Sequence, residues 1–240
     1  KVEDMSEQHS EILADIDAAH AVAPRSAAVA VANGYGGTKA FRSLGVRVVG
    51  GGQTDNPSVE DIADAVRSVG AHDVIVMPNN KNVIMAAQRV AELVPDKNVR
   101  VLPTTTLGQG LAAAVLFQES ADAGELSAEM QEAAASASTL EVTHASRDAE
   151  IDGVRVREGD AIGLVDGKLV VAEPDADACL LALLSGRADA YGVATLFHST
   201  ETTPERVAEL AGRIAAAYPD LEVEVHPGAP DLYPYLMVRE

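Results

Sequence analysis

Three times in the first half of the chain, a short apolar run gives way to a polar turn and then to a run whose apolar residues recur every three or four positions. Val46-Arg47-Val48-Val49 predicts a strand, Gly50-Gly51-Gly52-Gln53-Thr54-Asp55-Asn56-Pro57 a turn, and 58–66 a helix with Ser58 as N-cap and Glu60 and Asp61 in its first turn. Asp73-Val74-Ile75-Val76-Met77 predicts the next strand, Pro78-Asn79-Asn80-Lys81-Asn82 its turn and 83–94 its helix. Val99-Arg100-Val101-Leu102 repeats the pattern, running through Pro103-Thr104-Thr105-Thr106-Leu107-Gly108-Gln109-Gly110 into an apolar helical stretch at 111–117. Upstream, 1–5 and 6–23 predict an opening strand and a helix stopped by Pro24, 27–32 a buried strand, and 38–44 a helix after the turn Asn33-Gly34-Tyr35-Gly36-Gly37. Successive βα units imply a parallel sheet with right-handed crossovers. Ligands and partners meet such sheets at the loops beyond the carboxyl ends of the strands, where all three polar turns lie.

Beyond a surface helix at 126–139 the period changes to two. Strands at 140–145, 154–156, 161–165 and 168–171 are separated by turns at Asp152-Gly153, Glu158-Gly159-Asp160 and Asp166-Gly167, which predicts a small antiparallel sheet of hairpins. The α/β pattern then returns: helix 175–184, strand 190–197, helix 203–218, strand 221–226 and a final apolar strand at 235–238. The fold class expected is α/β with two lobes, a parallel-sheet lobe over 1–125 and an α+β lobe over 126–240.

Composition narrows the function. At 240 residues, 47% hydrophobic and 23% charged, the chain has room for one large or two small cores. Its formal charge of −19 opposes nucleic acid and anionic lipid headgroups, and no local basic patch offsets it. The single Cys179 falls in an apolar helical run and reads as an inert core thiol; it excludes an internal disulfide and suits a reducing cytoplasm. No apolar run is long enough to span a membrane, the amino terminus lacks a secretory signal, and a start at Lys1 rather than Met reads as a piece of something longer. The expected location is cytoplasmic.

The candidate working surface is the set of polar turns: Gly52, Gln53, Thr54, Asn56 and Ser58 in the first, Asn79, Asn80, Lys81 and Asn82 in the second, Thr104, Thr105 and Gln109 in the third. Neutral hydroxyl and amide donors beside helix amino termini suit a carboxylate or acyl phosphate, with Lys81 the only cation. The alternative is that these side chains cap helices and cross-link turns. The glycine turn 33–37 is open to a phosphate or to a plain tight turn, and it lacks the Lys-Ser/Thr ending of a Walker loop. No closely spaced aspartate set and no metal spacing among His9, His20, His72, His144, His198 and His226 is present, and no nucleophile stands beside a base.

Lys1-Val2-Glu3-Asp4-Met5-Ser6-Glu7-Gln8-His9, Gly51-Gly52-Gln53-Thr54-Asp55-Asn56-Pro57-Ser58, Pro78-Asn79-Asn80-Lys81-Asn82-Val83-Ile84-Met85-Ala86-Ala87 and Tyr233-Pro234-Tyr235, in that order, resemble the carboxyl-terminal region of the ATP-binding subunit of bacterial fatty acid kinase. That family is Dak-type and related to dihydroxyacetone kinase. The segment 53–58 is also similar, more weakly, to the polar loop of the DegV family of fatty-acid-binding proteins, whose two-lobed architecture fits the layout above. The resemblance implies a parent phosphotransferase with ATP and Mg held by an amino-terminal domain outside these residues. It implies that this region has no catalytic or metal-binding residue of its own and docks a DegV-type fatty-acid-binding partner. The alternative is a DegV-type domain that itself holds a fatty acid or other carboxylate.

Overall fold

Strand β1 (Ser26–Val31) turns Ala28 and Ala30 to one side and Val29 and Val31 to the other, and both sides are covered. That is the pattern of a central parallel strand. In this computed structural model, which describes residues 24–51, 56–186 and 192–239, β1 lies in a four-stranded parallel sheet of order β2-β1-β3-β4, with β2 at Arg47–Val49, β3 at Asp73–Met77 and β4 at Asn98–Val101. Helices α2 (Val59–Ser68) and α3 (Ile84–Leu93) cover one face through Ile62, Val66, Ala87 and Val90. Helices α1 (Tyr35–Ser43), α4 (Leu107–Val115) and α5 (Ala123–Ser136) cover the other through Phe41, Leu111, Leu126 and Met130. The opening strand and helix expected over 1–23, and the first two residues of the strand expected at 190–197, lie outside the described residues.

The remaining strands are β5 (Ser138–His144), β6 (Ala149–Ile151), β7 (Val154–Val156), β8 (Ala161–Val165), β9 (Lys168–Glu173), β10 (Gly192–His198), β11 (Leu221–Pro227) and β12 (Tyr235–Arg239). The hairpins do not stand apart as a sheet of their own. The last strand, β12, inserts between β10 and β5, so β5, β8 and β9 join one six-stranded sheet of order β11-β10-β12-β5-β8-β9, while β6 and β7 pair separately. Helices α6 (Ala176–Ser185) and α7 (Pro204–Ala217) cover its outer face through Cys179, Leu180, Leu183, Leu184, Leu210 and Ile214. Its inner face sends Phe197, Leu236 and Val238 into the core beneath α1 and α4. The layers are therefore helix, sheet, helix, sheet, helix, and the α/β class with a parallel first half and a hairpin-containing second half is as expected.

Three helices differ by about a turn from the sequence reading, and α1 begins at Tyr35, inside the turn expected at 33–37. α4 begins at Leu107 because the Thr106 hydroxyl accepts from the Gln109 N–H and caps it a turn early. α5 ends at Ser136, and Thr139 belongs to β5, where its hydroxyl lies 2.7 Å from that of Thr106 in a buried contact between the two sheet systems.

Candidate functional site

The strand order 2-1-3-4 reverses direction between β1 and β3, which opens a crevice at their carboxyl ends. Asn79 stands at this switch point in the left-handed region, φ 54°, a conformation asparagine tolerates better than most residues. Its Nδ2 donates to the Val31 carbonyl at 2.9 Å, tying the end of β3 to β1. Its Oδ1 accepts from Thr104 Oγ1 at 2.7 Å while its own N–H donates to that hydroxyl at 3.0 Å, tying β3 to the loop after β4. Gly110 makes room for this carboxamide, since a Cβ there would overlap it.

Other turn residues are engaged in the same way. The Ser58 hydroxyl accepts from the Asp61 N–H at 3.1 Å, and Asp61 Oδ2 accepts in turn from the Ser58 hydroxyl at 2.6 Å and the Ser58 N–H at 2.8 Å; the hydroxyl first, and then the N–H, hold the Asp61 carboxyl below its ordinary range. Gln109 Oε1 accepts from both the N–H and the hydroxyl of Thr105, at 2.8 and 3.0 Å. Asn80 Oδ1 accepts from the Asn82 N–H at 2.9 Å. Gly52, Gln53 and Thr54 lie outside the described residues.

Five of the expected site residues, Asn79, Asn80, Lys81, Asn82 and Thr105, line one cleft of about 500 Å3, with Val31, Ala32, Asn33 and Leu107 beside them. Thr104 is buried behind Asn79, and neither it, Asn56, Ser58 nor Gln109 lines the cleft. The facing wall comes from the second sheet and the loop before β12: Glu141, Leu164, Asp166, Gly167, Lys168, Pro230, Tyr233 and Leu236. Asp166 and Gly167 both have positive φ, 50° and 76°, as a two-residue hairpin turn of the primed kind requires. The Asp166 carboxylate pins that turn to β5 by accepting from the Thr139 N–H at 2.8 Å.

Glu141 is the residue the sequence reading missed. Alternation along Leu140-Glu141-Val142-Thr143 marks it as outward-facing, but outward from α6 and α7 is inward to the cleft. Its cross-strand neighbours are Leu236 and Leu164. Burial against them, reinforced by the nearby Asp166 charge and only partly opposed by a hydrogen bond from the Gly167 N–H, pushes its carboxyl up to about 7. The signal available was a carboxylate at the centre of a strand whose sheet turns out to be covered on both faces. The cleft thus combines fixed backbone and amide groups, two lysines at its rim and a carboxyl poised near neutrality. It can recognise polar groups, and among the described residues it holds no nucleophile–base pair.

Known proteins match this architecture and sequence. The family model for the carboxyl-terminal domain of FakA-like fatty acid kinase proteins matches residues 27–240. Protein YloV of Bacillus subtilis (strain 168) is 36% identical over 248 residues, which cover 100% of this chain and 44% of that protein, so the chain spans under half the length of this relative. Among solved structures, the DegV family protein Cg2579 from Corynebacterium glutamicum superposes with TM-score 0.62 at 15% identity, covering 90% of this chain and 97% of its own. The Streptococcus pneumoniae fatty acid kinase B3 protein, loaded with linoleic acid, superposes with TM-score 0.57 at 12% identity, covering 90% and 99%. The structural likenesses establish a DegV-type fold, and the sequence match places the chain in the FakA-like carboxyl-terminal family of fatty acid kinase proteins.

Proposed function

We propose that this chain is a non-catalytic docking domain of an ATP-dependent fatty acid kinase. It receives a DegV-type fatty-acid-binding protein and holds that protein's acyl carboxylate toward a nucleotide domain elsewhere in the parent, which supplies ATP and Mg. Tethering of this kind replaces a bimolecular encounter with one at an effective concentration of about a millimolar. Family membership supports the kinase context, and the S. pneumoniae protein loaded with linoleic acid supplies the chemistry of the partner.

The observation that favours docking over carriage is the state of the strand-end polar groups. Asn79, Thr105 and Thr106 direct their side chains into internal hydrogen bonds, while Glu141 and Asp166 face the same cleft. A fatty acid carboxylate seated deep in the cleft would meet Glu141 and Asp166, with the two lysines, Lys81 and Lys168, left at the exposed rim. That disfavours the DegV-type carrier reading at this cleft. A protein surface, by contrast, gains from rigid, pre-satisfied loops that lose little entropy on contact. Removing this region from the parent kinase tests the reading: phosphorylation of carrier-bound fatty acid is expected to be abolished with ATP binding intact. Turnover that survives the deletion would sink it.

A further inference from the structure

Glu141 is held where it cannot turn away from the strand-end cleft. Its strand, β5, lies inside the six-stranded sheet, with Leu236 of β12 and Leu164 of β8 as its cross-strand neighbours, so pairing fixes the backbone on both edges. Leu140 and Val142, on the opposite face of β5, pack into the core with the α6 residues Cys179, Leu180 and Leu183. The Glu141 side chain therefore lines the cleft, and what contact it keeps with water is through the cleft mouth. It accepts a hydrogen bond from the Gly167 N–H, and among the described residues no lysine or arginine forms an ion pair with it.

Few ionisable groups surround it. Asp166 and Lys168 come from the β8–β9 turn, Lys81 from the loop between β3 and α3, and Tyr233 from the loop before β12. Among the described residues no histidine lines the cleft. With Glu141 ionised the cleft carries no net charge; with Glu141 protonated it is left with one positive charge. The neutral polar side chains do not stand in for water around the carboxylate. Asn79 Nδ2 donates to the Val31 carbonyl at 2.9 Å and the Thr105 hydroxyl to Gln109 Oε1 at 3.0 Å. The ionised form thus depends on water in the cleft, and in the uncovered chain burial, then Asp166, already push the carboxyl up to about 7.

A protein seated over the cleft removes that water and leaves the Asp166 charge in place, and both penalise the ionised form of Glu141. The lysines at the rim, which attract acidic groups on a partner, act in the same direction. We propose that docking at the strand-end cleft is coupled to uptake of a proton by the Glu141 carboxyl, so that docking strengthens as the pH falls; this rests on the docking reading. The carboxyl then has a higher value in the complex than in the free chain. The gain in affinity is fully present below about pH 7 and is lost as the pH rises through the value in the complex. A further rise of about one unit on covering makes docking about fivefold tighter at pH 6.5 than at pH 8.5.

Isothermal titration with a linoleate-loaded DegV-type fatty-acid-binding protein reads both the affinity and the proton. At pH 7.5, titrations in phosphate and in Tris, whose heats of ionisation differ, count the protons taken up; about half a proton per complex is expected. This count needs no variant. Glu141→Gln, isosteric and uncharged, is expected to abolish the uptake and to remove the roughly fivefold fall in affinity between pH 6.5 and pH 8.5, while any titration of the partner's own groups remains. At pH 8.5 the variant should bind more tightly than the unsubstituted chain. Binding with the same pH dependence in both proteins, or net release of protons by the unsubstituted chain, overturns the proposal and leaves the docking reading standing. Absence of binding at every pH overturns the docking reading, and the proposal with it.

Discussion

Replacing Glu141 with Gln is expected to stabilise the protein above neutral pH. The carboxyl has an ordinary value of 4.5 and is pushed up to about 7 in the folded chain, first by burial and then by Asp166. Between those two values the folded chain keeps a proton that the unfolded chain has released. Stability from this group is therefore fully present below pH 4.5, declines as the pH rises toward 7 and is gone above it. The gap corresponds to about 3 kcal/mol. Glutamine keeps the shape and can still accept from the Gly167 N–H, but it carries no charge at any pH. Urea unfolding at pH 5 and pH 8 measures the effect. The unsubstituted chain should lose about 2 to 3 kcal/mol more than Glu141→Gln between the two pH values, because the other titrating groups cancel in the difference. Parallel pH profiles for the two proteins would show that the Glu141 carboxyl is solvated, and the description of the cleft wall would be wrong.

Gly110→Ala should displace the Asn79 carboxamide, breaking its links to Val31 and Thr104; a loss of about 2 to 4 kcal/mol in chemical denaturation is expected. Tyr235→Phe removes the hydroxyl that donates to Asp177 at 2.7 Å, with about 1 to 2 kcal/mol lost in thermal unfolding while Arg206 keeps its 2.9 Å contact with Asp177. Cys179 is fully buried, and its thiol is pushed up to about 12 by burial and by Glu173 and Asp175. Thiol reagents at pH 8 should label it only at the rate of opening, and rapid labelling of native protein would contradict the packing of α6. Lys81→Glu at the cleft rim should weaken an acyl-loaded partner about threefold or more, chiefly through slower association in a salt-dependent assay; an unchanged rate would remove the cleft from the interface.

The parallel sheet was legible because its signals are local: apolar strands such as 73–77, the Ser58–Asp61 cap and the three polar turns each sit within a few residues of one another. The sheet made by the later strands was legible only in part. Hairpin turns at Asp152-Gly153 and Asp166-Gly167 announce themselves, but the insertion of β12 between β10 and β5 is a pairing across roughly a hundred residues that no local pattern encodes. The candidate site divides along the same line. Asn79, Asn80, Lys81, Asn82 and Thr105 come together because strand-end loops of one parallel sheet must. Thr104 and Ser58 turn out to hold the backbone rather than face the cleft. Glu141 stayed hidden because its role depends on which layer covers the second face of its strand.

Isothermal titration of this chain with a DegV-type fatty-acid-binding protein, acyl-loaded and acyl-free, tests the docking claim most directly. The account predicts saturable one-to-one binding of the loaded protein, weakened by Lys81→Glu. No heat of binding with either form, or binding indifferent to the strand-end cleft, would contradict it.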